Sequence, residues 1–343
     1  MLIAGDIGGT KTDLAVYSPE TGAHEPLAAK QFRSASYPSL TTMVQEFLRD
    51  VTVPVDRACF DVAGPVINGA VKTTNLPWFM DEATLASELG FRSVHLMNDL
   101  EAVARAVPVL RSTDYVTLNE GVAIARGTIG IIAPGTGLGE SFLTWNGVGY
   151  EAHSSEGGHS DFAPTDTRQL GLLTYMLKQH HHVGVERVCS GIGIPNLYEY
   201  LRDVEDIADN PDVADRIAAA PDRTHAIVDA GLDEQNPSTL SRETVELFVS
   251  ILGSEAGNLA LKVLATGGIY MAGSLALRIV GEGQKSTFRA AFTNKGRFAQ
   301  LMQTIPIHVI FVKAALLGAA TYGLQRMYGV GELDDEPSEA TVG

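Results

Sequence analysis

The chain opens with a short apolar run at residues 2–5, breaks at Gly8-Gly9-Thr10, and resumes as Asp13-Leu14-Ala15-Val16-Tyr17. Two strand-like runs about a glycine-rich turn predict a β-hairpin. A third strand is expected over 27–32. Residues 39–49 place Leu40, Met43, Val44, Phe47 and Leu48 at helical spacing and predict a helix. Residues 58–63 read as another strand, ended by Gly64-Pro65. Asn68-Gly69, between Val66-Ile67 and Ala70-Val71, signals a hairpin. Asp81 can cap a helix that runs to Leu89. Val94-His95-Leu96-Met97 reads as a buried strand running into Asn98-Asp99, with a helix after it over about 100–106. Strands alternating with helices predict an α/β unit in the first hundred residues.

A second set begins near residue 115. A strand over 128–133 ends in Pro134-Gly135-Thr136-Gly137-Leu138-Gly139, and 141–145 with 148–153 fit a hairpin. Helical patterning dominates from there to Gly267. Residues 202–240, rich in Asp, Ala and Pro, are expected to form peripheral helices and loops, and 241–265 a long amphipathic helix. Strands are expected at 269–272 and 307–312, and an apolar helix at 314–328. The acidic tail, 331–343, is expected to be disordered. The chain has no repeat with a period of 20–50 residues. It does have two strand–glycine-turn units, at 6–12 and 135–139.

At 343 residues the chain suggests about two domains. With 45% hydrophobic and 19% charged residues it is ordinary globular protein. The net charge of −16 repels polyphosphate backbones, so no nucleic-acid partner is expected. A phosphate ligand must instead find local attraction, from backbone N–H groups, a few cations and Mg2+. Cys59 and Cys189 have no metal spacing, which argues against a disulfide framework and for a reducing, cytoplasmic setting. The N-terminus lacks the basic start and long apolar run of a signal peptide, and no uninterrupted run of 18 apolar residues exists, so no membrane association is expected.

Four constellations carry candidate chemistry. In Asp6-Ile7-Gly8-Gly9-Thr10-Lys11-Thr12, glycines allow several N–H donors to close on a phosphate. Thr10 and Thr12 add hydroxyls, Lys11 a cation, and Asp6 a carboxylate that can hold Mg2+ through water. The alternative is a tight glycine hairpin. Gly135, Thr136 and Gly137 make a similar turn after a strand. Asn98-Asp99 follows a buried strand, where ligands of α/β sheets gather, and Asp99 can accept a proton from an attacking hydroxyl; an Asp there also commonly caps the next helix. Glu156, His159 and Glu186 are types that fix sugar hydroxyls. Taken singly, Glu156 reads rather as a surface acid, Glu186 as a partner of Arg187 and His159 as a structural histidine. His180-His181-His182 reads as a solvated turn rather than a metal site.

Together these residues resemble the bacterial glucokinase family of the enteric type, over about residues 2–328. The resemblance rests on Gly5-Asp6-Ile7-Gly8-Gly9-Thr10, Thr74-Asn75-Leu76-Pro77-Trp78, Asn98-Asp99, Gly135-Thr136-Gly137-Leu138-Gly139, Glu156-Gly157-Gly158-His159, Glu186-Arg187-Val188-Cys189-Ser190-Gly191, Gly267-Gly268-Ile269 and Lys295-Gly296-Arg297-Phe298. It implies an α/β, two-domain actin-like (ribonuclease-H-like) sugar kinase fold with an interdomain cleft. The smaller domain would comprise 1–109 plus 314–330, and the larger 110–313. It further implies an ATP-dependent glucokinase with Asp99 as catalytic base. Asn98, Glu156, His159 and Glu186 would hold glucose, the two glycine turns the phosphates with Mg2+, and Gly267-Gly268 would lie near the adenosine. A homodimer without structural zinc is implied, because the cysteine-rich zinc motif of the related repressor/kinase family is absent. Lys11 departs from the smaller polar residue of many relatives, and Val312-Lys313-Ala314-Ala315 from their Asn-Pro-like approach to the last helix.

Competing functions are a kinase of broader hexose range, taking mannose or fructose, and a non-enzymatic sugar-responsive regulator. The regulator usually carries a helix-turn-helix, for which a first strand at residue 2 and a charge of −16 leave no room and no basic face. An actin-like chaperone or filament protein would not need Glu156, His159 and Glu186.

Overall fold

The computed structural model describes residues 1–73, 76–280 and 284–327. Thr74, Asn75, Tyr328 and the acidic tail expected at 331–343 lie outside the described residues. The described chain divides into two compact units, residues 1–109 with 313–327, and residues 110–312.

The first unit is built on a five-stranded sheet. Its spatial order is Ala28–Arg33, Lys11–Tyr17, Leu2–Ile7, Arg57–Val62, Ser93–Asn98. The first three strands form an antiparallel meander, and the last two join it in parallel. Period-two alternation sorts the side chains onto two faces. Ile3, Leu14, Val16, Phe32, Phe60 and Leu96 pack with the helix Leu40–Leu48 on one side. Leu2, Ala4, Ala15, Tyr17, Cys59 and Met97 pack against Ala102, Leu316, Ala319, Ala320 and Leu324 on the other, under the helices Asp99–Ala106 and Ala314–Met327.

The second unit repeats the plan. Its sheet runs Tyr150–Ser155, Leu138–Trp145, Ile129–Pro134, Gly268–Met271, Ile307–Ile310, with Tyr115–Asn119 added antiparallel at the edge. Again three antiparallel strands meet two parallel ones. Both glycine turns therefore occupy the same place, between the second and third strands of the orders given.

Two local expectations are modified. Asn68 and Gly69 do take positive φ, 51° and 71°, and Ile67 and Ala70 exchange both backbone hydrogen bonds. Pairing stops at that bridge, however, and Ala70–Lys72 ladders instead with Phe79–Asp81. The long helix, Thr239–Val263, is buried on nearly all sides over its second half rather than along one stripe. Small residues explain this. A Cβ on Gly253 or Gly257 would run into Phe288 O or Phe292 O of the helix Lys285–Thr293, so the two backbones meet closely. Within 202–240, the helices Pro211–Ala219 and Arg223–Leu232 send Val213, Ile217, Ile227 and Val228 into the main core of this unit.

Candidate active site

In the first unit the turn at Gly8 is closed by Gly8 N–H donating to Lys11 O at 3.0 Å, with Ser34 Oγ donating to Gly8 O at 2.7 Å. A Cβ on Gly8 would meet Lys11 O at 2.6 Å, so the turn needs glycine there. Thr10 and Lys11 are exposed, and Gly8 and Gly9 are half-buried. Thr12 is a correction. Its side chain is fully buried, and its hydroxyl lies 3.0 Å from Ser34 Oγ, so it braces the turn instead of facing a ligand. The reason is alternation: even-numbered positions of this strand face the apolar side that holds Leu14 and Val16.

Asp6 lies at the end of the first strand, in register with Asp13 on one neighbour and Asp61 on the other. All three share the face covered by the two helices. Burial pushes the Asp6 carboxyl up to about 6, the charges of Asp13 and Asp99 add to this, and Lys313 opposes it. Asp61, which sequence reading passed over, is wholly buried, and neither of its oxygens has a hydrogen-bond partner among the described residues. Burial and the neighbouring Asp6 and Asp99 raise it well above the carboxylate range, and a protonated Asp61 facing Asp6 relieves both.

Asn98 closes the strand Ser93–Asn98 and is the N-cap of Asp99–Ala106. Its Oδ1 accepts from Leu100 N at 2.9 Å, while Nδ2 donates to Gly64 O at 3.1 Å. Asp99 is therefore not the cap. It is the first helical residue, half-buried, accepting from Leu100 N at 2.9 Å, where an anion suits the helix N-terminus. Burial raises its pKa despite these hydrogen bonds.

In the second unit Glu156, His159 and Glu186 come together. His159 Nε2 lies 3.8 Å from Glu156 Oε2, and its Nδ1 4.0 Å from Glu186 Oε1. Glu156 and His159 are exposed and Glu186 is 23% exposed. Glu186 has no bond to Arg187; its Oε2 accepts instead from Leu138 N at 3.0 Å, inside the glycine turn. That turn is further held by Gly191 N to Gly135 O at 2.8 Å and Ile192 N to Thr136 O at 3.1 Å. Gly135 and Gly137 are half-buried, and Thr136 is exposed. Gly267 and Gly268 are both buried, and a Cβ on Gly267 would meet Gly127 O at 2.5 Å, so close packing of backbones accounts for this glycine.

Glu140, a second residue passed over, is 3% exposed below this cluster. Its Oε1 has no partner among the described residues, and a Cβ on Gly157 would collide with its Oε2. Burial, then the charge of Glu255, push it up to about 7. His182 of the histidine run lies exposed, 2.9 Å from Asp161 Oδ1. Among the described residues no three His, Cys, Asp or Glu converge to hold a metal ion by themselves, and no helix is long and apolar enough to cross a membrane.

A sequence model of the family described as Glucokinase matches residues 3–326. A glucokinase of Nostoc punctiforme is 40% identical over 336 residues, covering 93% of this chain and 98% of the relative. Among solved structures, a glucokinase from an Antarctic psychrotroph superposes with a TM-score of 0.80 at 31% identity, covering 94% of this chain and 98% of that one. A ROK family glucokinase of Streptomyces griseus, solved with glucose and AMPPNP, superposes at 0.63 with 17% identity, over 94% and 99% of the two chains. The likeness is to the actin-like sugar kinases, the α/β architecture expected.

Proposed function

Since the chain belongs to the glucokinase family, we propose that it transfers the terminal phosphoryl group of ATP to the 6-hydroxyl of D-glucose. The observation that carries this reading is the grouping of Glu156, His159 and Glu186 beside a glycine turn, in a chain whose other glycine turn sits on a carboxylate row. In the second unit these three side chains offer acceptors and a switchable donor to sugar hydroxyls. In the first, Asn98 orients and Asp99 accepts the proton of the attacking hydroxyl as its oxygen bonds to phosphorus and the bond to ADP breaks. A pKa raised by burial makes Asp99 a stronger base than an exposed aspartate. The turns offer backbone N–H groups to the phosphates.

The residues fit Mg2+. Asp6 is a hard oxygen donor at the first turn, and such an ion is usually held by one or two carboxylates, with water and substrate phosphates completing its shell. When bound, the ion neutralises charge on the transferring phosphoryl group. The same reading extends to a cytoplasmic homodimer, which light scattering on the purified protein tests. The deciding experiment for activity is glucose 6-phosphate formation from ATP, Mg2+ and glucose, with mannose and fructose in parallel. Turnover confined to glucose supports the reading, and no turnover with any hexose overturns it.

A further inference from the structure

Three cations converge on the edge of the acidic row. Lys11 and Arg33 are directly opposed across the two outer strands of the first sheet, one alternation step beyond the opposed pair Asp13 and Gln31. Strand alternation puts all four on the face that carries Asp6. Both cations are exposed, and among the described residues neither has a carboxylate partner. Like charges directly opposed on neighbouring strands destabilise a sheet. In a chain with 41 acids against 25 Lys and Arg, two cations left in that position mark a place kept for an anion.

Lys313 completes the set. Its Nζ lies 2.7 Å from Asp13 Oδ1, its side chain is 58% exposed and that of Asp13 is 15% exposed. Asp13 does not depend on it, because Gln31 Nε2 donates to both carboxylate oxygens, at 3.1 and 3.3 Å. When Lys313 leaves, Asp13 therefore keeps a hydrogen-bond donor.

We propose that Arg33 and Lys313, together with Lys11, form a cationic fringe that binds the phosphates of the nucleotide at the first glycine turn, Lys313 exchanging Asp13 for a phosphate oxygen. This rests on the kinase reading above and assigns binding roles to Arg33 and Lys313. A lysine serves a phosphate as a mobile point charge and an arginine as a fork.

The test is direct binding of ATP and of adenosine by calorimetry, without sugar, to the full chain and to Arg33→Met, Lys313→Met and Asp13→Asn, with melting temperatures alongside. Each methionine variant is expected to weaken ATP about tenfold, equivalent to about 1.4 kcal/mol, and to flatten its salt dependence. Adenosine binding should stay as it was, and Asp13→Asn, which frees Lys313, should tighten ATP. Unchanged ATP affinity in both methionine variants overturns the inference. So does equal weakening of ATP and adenosine, or a drop in melting temperature shared by Lys313→Met and Asp13→Asn with ATP affinity intact, which would leave only a structural ion pair. If the unaltered chain binds ATP in this pattern but phosphorylates no hexose, the kinase reading falls and the fringe stands. If it binds no ATP, both fall.

Discussion

Leu138 donates its backbone N–H to Glu186 Oε2 at 3.0 Å, so the second glycine turn is tied to a carboxylate that also lies 4.0 Å from His159 Nδ1. One side chain thus belongs to the proposed phosphate turn and to the proposed sugar cluster. Removing it should disturb both. Glu186→Ala is expected to raise KM for glucose and for ATP together, each by about tenfold or more, since a hydrogen bond to a charged group contributes about 1.5–3 kcal/mol. Glu156→Ala, whose side chain is 88% exposed, should raise only the glucose value. Steady-state kinetics with each substrate varied separate the two. Equal effects of both variants on ATP would refute the tie.

Asp99→Asn should lower kcat by about 10²–10⁴-fold, the usual cost of losing a positioned general base. Helix Asp99–Ala106 should survive, because Asn98 supplies the cap. Glucose binding, followed by intrinsic fluorescence, is expected to persist. Near-full turnover in this variant would remove Asp99 from the base role.

Glu140 carries a pH signature. Its carboxyl is raised from 4.5 to about 7 by burial, so the native state holds its proton more tightly than the unfolded chain does. Its contribution is complete below pH 4.5 and is lost as pH climbs through 7. Glu140→Gln should flatten stability across that window and make the protein more stable at pH 7.5, by at most about 3 kcal/mol. Urea unfolding at pH 5 and 7.5 checks this. A variant less stable at pH 7.5 than the parent would contradict it.

Gly157→Ala should disturb the proposed sugar cluster, because the added methyl runs into Glu140 Oε2, which is itself too buried to step aside. Glucose affinity should fall, and Glu140→Ala in the same chain should restore part of it. Additive losses in the double variant would show that the collision is not the cause.

Much of this was legible in the residues, and the exceptions share a physical origin. Local signals located the hairpin at Gly8, the Asp81 cap and the turn at Asn68, because each depends on neighbours within a few positions. Asp61 sits in a run, Ala58-Cys59-Phe60-Asp61-Val62, that reads simply as a strand. Its meaning comes from register with Asp6, set by pairing across more than fifty residues. Glu140 was equally silent in Leu138-Gly139-Glu140-Ser141, since only the fold brings Gly157 down onto it. Thr12 misled for the reverse reason: its type suited a phosphate, and strand alternation turned it inward. The long helix misled because glycines and serines that look neutral in a periodic pattern were contact positions.

The helix Ala314–Met327 closes one face of a sheet whose central strand is Leu2–Ile7. During synthesis, the strand Leu2–Ile7 must therefore wait for the helix Ala314–Met327, made some three hundred residues later, before Leu2, Ala4, Ala15 and Cys59 can be covered. Residues 110–312, made in between, contain a sheet and a core that need nothing from either end. The order of maturation is thus inside out along the chain, with the middle segment free to fold while the beginning is still exposed. A nascent chain stalled before residue 313 should already protect the middle segment from protease and leave the opening strands cleavable.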